Sequence, residues 1–96
     1  MELLEDLLNM VINKEFRTEL CSDLDFEGMV VDVCFDAQRI AMVNYDKGID
    51  NIEIEILSRK EAPPRLFFSL DGFFNILEEA RAIAIRCAKE DELRNQ

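Results

Sequence analysis

Carboxylates are the side chains in this sequence whose number and spacing could support chemistry. The chain has 21 acidic residues, 11 basic residues and no histidine. Two pairs, Asp32 with Asp36 and Glu53 with Glu55, could in principle act as acid and base. Each pair falls on alternate positions of a predicted strand, which is also the spacing of ordinary solvent-facing residues. Because the usual general base and the Ser-His and Cys-His dyads are missing, we expect no enzymatic activity.

The spacing of Asp23, Asp25 and Glu27 invites comparison with a calcium-binding loop. An EF-hand loop needs glycine at its sixth position and glutamate at its twelfth. Counted from Asp23, Gly28 is sixth, but Cys34 is twelfth. The three glycines of the chain stand far apart, so there is no phosphate-binding loop either. We therefore expect no bound metal and no cofactor.

The cysteines and the first residues of the chain bear on its cellular location. Cys21, Cys34 and Cys87 are odd in number and contain no Cys-x-x-Cys pair, which predicts reduced, buried thiols. The chain starts acidic, and its first apolar run is interrupted by Asp6 and Asn9. This pattern fits neither a signal peptide nor a membrane span, so we expect a cytoplasmic protein.

The acidic residues are concentrated in two segments. Residues 15–27 hold five acids against the single base Arg17, and residues 46–55 hold four acids against Lys47. Both segments are candidate contact surfaces for a partner, the first being preferred, although solubility and protection of a strand edge would explain them equally well. The candidate partner-binding residues are Glu19, Asp23, Asp25, Glu27, Asp46, Asp50, Glu53 and Glu55.

The net charge restricts the kind of partner. At −10, with an isoelectric point of about 4.3, the chain is repelled by phosphate backbones and by anionic lipid. We therefore expect no direct binding to nucleic acid or to membranes. A basic protein is the natural complement. Tight binding would also need desolvated apolar anchors, which Phe26, Tyr45 or an exposed phenylalanine could provide.

Residues 28–57 contain the elements that must position these acids. Apolar residues alternate with other residues at period two, which predicts three antiparallel strands joined as a meander by turns at 36–38 and 46–51. The middle strand, 39–45, is apolar on both faces and should be central. Further short strands are possible at 18–22 and predicted at 65–68.

Helices are predicted at both ends of the chain. Residues 2–14 and 71–91 carry apolar residues at three- and four-residue steps, and Ser69 or Asp71 can cap the second helix. At 96 residues the chain should form one domain. The predicted class is α+β, with an antiparallel three- to four-stranded β-meander packed with an N-terminal and a C-terminal α-helix.

This order of elements is clearest in the segments GIDNIEIEIL and LFFSLDGFFNILEEARAIA. With them, residues 28–88 resemble the small acidic immunity proteins of bacterial toxin systems, including those of contact-dependent growth inhibition. The likeness lies in architecture, so no site residue is carried over. It implies a cytoplasmic inhibitor that binds a cognate toxin, often a nuclease with a basic cleft, and blocks access of its substrate. We expect the protein itself to be a monomer or a weak homodimer.

Two other kinds of interaction protein fit the same sequence. One is a phage or mobile-element inhibitor that mimics nucleic acid and targets a host nuclease. The other is a structural module that forms homodimers through an apolar helix face or a strand edge. A neighbouring toxin gene would favour the immunity protein, phage genes would favour the mimic, and self-association in light scattering would favour the homodimer.

Overall fold

The computed structural model describes residues 16–57 and 66–94. In this part of the chain four antiparallel strands form one sheet, in the order β1-β2-β3-β4. A single long helix follows the sheet. The bounds are β1 Phe16–Ser22, β2 Met29–Phe35, β3 Gln38–Asn44, β4 Glu53–Ile56 and α1 Leu70–Arg94. The α+β class is confirmed, while the helix predicted at 2–14 lies outside the described residues.

The hairpin between β2 and β3 has the shortest connection in the sheet. Phe35 pairs with Gln38, so Asp36 and Ala37 alone make the turn. Both have positive φ, 49° and 66°. Positive φ at both central residues is the geometry of a type I′ turn, whose twist matches that of the strands it joins. The turn predicted at 36–38 is thus confirmed in a two-residue form.

The fourth strand is on the N-terminal side of the meander. β1 pairs with β2 along its whole length, from Phe16 opposite Phe35 to Ser22 opposite Met29. The strand predicted at 65–68 is wrong for its described residues, since 66–69 have no regular secondary structure. There the ring of Phe68 lies 4.9 Å from that of Phe35 and 5.0 Å from that of Phe16. Aromatic packing, in place of strand pairing, thus anchors this segment.

The main core lies between α1 and one face of the sheet. The buried strand residues Val31, Val33, Ala41 and Val43 belong to one cluster with the helix residues Ile76, Ala80, Ala84 and Cys87. The two alanines have no exposed surface, and their small side chains let the helix lie close to the sheet. The apolar helix face predicted from the sequence is confirmed.

The start of α1 is defined by a cap. The Ser69 hydroxyl accepts a hydrogen bond from the N–H of Gly72 at 3.1 Å. This bond satisfies one of the helix N–H groups that have no partner within the helix. Ser69 is therefore the capping residue of the two that the sequence offered.

The opposite face of the sheet is more buried than its sequence predicted. Asp32 was expected to face solvent, but it is only 4% exposed, and Val30, Cys34, Met42 and Asn44 are buried on the same face. Both β2 and β3 have a neighbouring strand on each side, so they are the two interior strands of the sheet. The central position predicted for β3 is confirmed, and β2 shares it.

In β4, the alternation of isoleucines with Glu53 and Glu55 predicts a half-buried strand whose glutamates face solvent, but the isoleucines are less buried than this pattern predicts. Its register sets Ile54 opposite Val43 and Ile56 opposite Ala41, so these isoleucines share the face that α1 covers elsewhere. They are nevertheless 44% and 68% exposed. The helix packs on β1, β2 and β3, and β4 lies beyond it. The period-two alternation of β4 therefore predicted correctly that the two isoleucines share a face, but it did not predict how exposed that face is.

Candidate functional site: an acidic groove at one end of the sheet

An open groove of about 650 Å³ lies where three parts of the chain meet. They are the connection before β2, the β3–β4 hairpin and the last turns of α1. The charged residues that line the groove are Glu27, Asp46, Asp91, Glu92 and Arg94. We call these five residues the acidic groove. Four carboxylates opposed by one guanidinium make it a negative surface that suits a cationic ligand.

Asp46 brings the two acidic segments of the sequence together. Its carboxylate accepts hydrogen bonds from the N–H of Glu27 at 3.0 Å and from the N–H of Gly28 at 3.1 Å. The N–H of Asp46 in turn donates to Asn44 Oδ1 at 3.2 Å. The connection before β2 is thereby fastened to the hairpin. Glu27 and Asp46, predicted as parts of two separate patches, belong to one site.

Tyr45 fastens the end of α1 to the same site. Its hydroxyl donates to Asp91 Oδ2 at 2.6 Å and accepts from the N–H of Met29 at 2.9 Å. Burial, followed by the hydrogen bond to Asp91, raises the pKa of Tyr45 to about 12. The side chain is only 7% exposed, so the proposed role of Tyr45 as an apolar anchor for a partner is wrong. Its ring serves the core and its hydroxyl positions Asp91.

Gly28 is required by the position of the tyrosine ring. A Cβ atom at this residue would lie 2.6 Å from the Cε2 and Cζ atoms of Tyr45. Real Cβ atoms do not approach so closely, and the ring is held by the two hydrogen bonds of its hydroxyl. The floor of the acidic groove therefore depends on a residue without a side chain.

The carboxylates of the groove differ in their freedom to bind. Asp91 forms an ion pair with Arg94 in addition to its bond with Tyr45, and Asp46 is held by two backbone N–H groups. Glu27 and Glu92 are exposed, and neither carboxylate has an ion pair within residues 16–57 and 66–94. The groove thus combines two fixed carboxylates with two that are available to an incoming cation.

The other predicted contact residues lie outside the groove. Asp23 shapes a turn, since its Oδ1 accepts from the N–H of Asp25 at 2.9 Å. Asp50 and Glu53 line a second, smaller groove of about 260 Å³ beside β4, and the Glu53 carboxylate lies 2.7 Å from Lys47 Nζ. Glu55 follows on the exposed edge strand.

Glu19 belongs to a separate cluster on β1 and β2. Its ligand atom and those of Cys21 and Asp32 lie within 4.8 Å of one another, a grouping that could hold a metal ion. Arg17 already lies 2.8 Å from Glu19, and Arg39 lies 3.7 Å from Asp32. The two guanidinium groups balance the two carboxylates, so the cluster is neutral as it stands.

The thiol in this cluster is less acidic than an ordinary cysteine thiol. Cys21 donates its S–H to Asp32 Oδ2 at 3.2 Å, and this bond, together with burial, raises the pKa of Cys21. Burial also raises the pKa of Cys34 and of Cys87. All three cysteines are free. Cys34 and Cys87 are buried as predicted, whereas Cys21 is only half-buried.

Asp91, Glu92 and Arg94 are the charged groove residues that the sequence pattern did not predict. They lie in the last turns of α1, a helix that the sequence pattern ends at residue 91 and that the structure extends to Arg94. The signal that connects them to the other acids is the buried hydroxyl of Tyr45, which needs a hydrogen-bond partner. That partner is 46 residues away in the sequence, and nothing in the sequence pattern joins the two.

Comparisons with known proteins found no relative of this chain. No family model matches the chain, and neither the curated proteins nor the solved structures contain a match. Within the described residues, no helix is both long enough and apolar enough to cross a membrane. The functional proposal therefore depends on the geometry and the charge of the acidic groove.

Proposed function

We propose that this protein is a non-enzymatic inhibitor that binds a basic protein, as an immunity protein binds its toxin in the bacterial cytoplasm. The target we favour is a nuclease with a basic active-site cleft. One observation carries the proposal: acids from three separate segments converge on a single groove, although they are far apart in the sequence.

The charge of the molecule supports fast and selective binding to such a target. A net charge of −10 steers a cationic protein towards the inhibitor. Within the groove, the carboxylates of Glu27 and Glu92 can take the places that substrate phosphates occupy in a basic cleft. Because a nuclease cleft is built to bind a row of negative charges, occupation of that cleft excludes the nucleic acid.

The hydrogen bonds of the groove reduce the cost of binding. Asp46 and Asp91 are already held in place before any partner arrives, so little conformational entropy is lost when they form ion pairs. Ile49 lines the same groove and is 42% exposed. An apolar side chain among the acids provides the desolvated contact that tight complexes need.

Capture of the partner tests this function. Tagged protein would be used as bait in cells that carry its native gene neighbourhood, with washes at low and at high salt. We expect recovery of a basic protein whose yield falls as the salt concentration rises, because ionic screening weakens exposed charge pairs. The recovered protein should lose its toxic or nuclease activity when the bait is added. Recovery of the bait alone at both salt concentrations would contradict the proposal.

A further inference from the structure

β4 has an open edge in the described part of the chain. Its register with β3 includes Met42 opposite Glu55 and Asn44 opposite Glu53. The N–H of Leu57 donates to the carbonyl of Ile40 at 2.9 Å. In an antiparallel ladder the bonded pairs alternate, so the backbones of Glu55 and Glu53 also bond to β3.

The backbones of Ile54 and Ile56 therefore face away from β3. Their N–H and C=O groups point to the outer side of the sheet, where no other strand lies within the described residues. An edge of this kind is a template for a further strand. It offers two donors and two acceptors, spaced as a β-ladder requires.

The two faces of this edge have different chemistry. Ile54 and Ile56 lie on the α1 side and are largely exposed, and Ile54 lines the smaller groove together with Leu77 of the helix. Glu53 and Glu55 lie on the opposite side and are also exposed. A strand added here would thus meet an apolar surface on one face and two carboxylates on the other. The Glu55 carboxylate has no ion pair within residues 16–57 and 66–94, whereas a basic side chain would share Glu53 with Lys47.

We propose that the β4 edge binds an extended segment of the basic partner in which lysine or arginine alternates with apolar residues. The basic side chains lie beside Glu53 and Glu55, and the apolar side chains pack on Ile54 and Ile56. This inference rests on the proposed function for the charge of the partner. It adds a second contact surface, continuous with the acidic groove because Ile49 lines both grooves.

A second copy of this chain fits the edge poorly. In an antiparallel pair, residues directly opposite each other share a face, so self-pairing of β4 sets the glutamates of one copy against those of the other. Like charges in that position are destabilising, and each copy carries a net charge of −10. A basic strand reverses the sign of the same contacts. The acids that prevent self-association therefore select a cationic strand.

A synthetic peptide tests the inference without the natural partner. The probe is a capped hexapeptide with three Lys-Val repeats, and its control has three lysines followed by three valines. In an NMR titration of the full chain, we expect the alternating peptide to shift residues 53–57 and to bind more tightly than the control. Equal affinity of the two peptides, or shifts confined to the acidic groove, would overturn the inference.

Ile54→Pro tests the backbone bonds. Proline removes the outward N–H and leaves the bonds between β4 and β3 intact, which is the position where an edge strand tolerates it. We expect the thermal midpoint to stay within a few degrees and the Lys-Val affinity to fall by at least about fivefold, the equivalent of about one hydrogen bond. Unchanged affinity would overturn the inference.

The double variant Glu53→Lys with Glu55→Lys keeps the test decisive if the proline variant fails to fold. It should no longer bind the Lys-Val peptide and should bind a Glu-Val peptide of the same alternation instead. Retained binding of the Lys-Val peptide would contradict the inference. Neither outcome affects capture of a basic protein by the acidic groove, so failure at the edge is distinguishable from failure of the proposed function.

Discussion

Ala37 adopts a backbone conformation that its side chain disfavours. Its φ of 66° lies in the left-handed region, where Cβ is close to the following carbonyl oxygen. Because the residue is exposed, its methyl group contributes little to packing. We expect Ala37→Gly to raise the free energy of unfolding by about 1 kcal/mol, as measured by urea denaturation. A decrease would show that the type I′ turn is not the native conformation.

Tyr45 is expected to make stability depend on alkaline pH. Its pKa is raised to about 12 in the folded state, whereas an unfolded tyrosine titrates near 10. The folded state therefore holds the proton more tightly. This contribution to the free energy of unfolding is complete below about pH 10 and is lost as the pH rises through about 12, with a total on the order of 3 kcal/mol.

The chain has a single tyrosine, so its titration can be followed directly by near-ultraviolet absorbance of the phenolate. Tyr45→Phe is the control, since it removes this pH dependence and leaves the ring in the core. It should also cost about 1 to 2 kcal/mol at neutral pH, because the N–H of Met29 loses its acceptor. A phenolate that forms near pH 10 in the folded protein would contradict the hydrogen bond to Asp91.

At the scale of the elements, the packing of α1 depends on small residues that face the sheet. Ala84 has no exposed surface, whereas Ala82 on the same helix is exposed. We expect Ala84→Leu to lower the free energy of unfolding by about 1 to 3 kcal/mol, because the larger side chain forces the helix away from the sheet. Ala82→Leu is the matched control and should have little effect in the same thermal melt. Equal effects would contradict the assigned helix face.

The elements also show what sequence patterns reveal and what they leave undetermined. Period-two alternation located β2, β3 and β4, and three- and four-residue spacing located α1 and its buried face. Alternation describes which residues share a face, but burial depends on what covers that face. Asp32 is therefore buried where exposure was expected, and Ile56 is exposed where burial was expected. Ile56 is exposed because α1 packs on β1, β2 and β3 and β4 lies beyond it. Asp32 lies on the opposite face of an interior strand, so α1 does not determine its burial.

At the scale of the whole molecule, the acidic segments were visible in the sequence and their arrangement was not. The sequence showed net charge and local clusters, and two of the eight predicted contact residues, Glu27 and Asp46, meet in the groove. A long-range hydrogen bond from the N–H of Glu27 to Asp46 holds these two residues together. A second one, from Tyr45 to Asp91, brings the end of α1 to the same groove. Such bonds join residues without a common periodicity, so no local pattern predicts them.

Reversal of two groove charges is the most direct test of the account. Glu27→Lys with Glu92→Lys changes the two carboxylates that have no fixed role in the fold. Glu78→Lys with Glu79→Lys is the matched control, since it alters net charge equally on an exposed part of α1 roughly 20 Å away along the helix.

The measurement is the dissociation constant of each variant for the basic protein recovered by salt-dependent capture. We predict that the groove variant binds at least about tenfold more weakly, while the control variant stays close to the unmodified protein. Equal weakening in both variants would show that net charge alone attracts the partner. Unchanged binding of the groove variant would contradict the assignment of the acidic groove as the binding site.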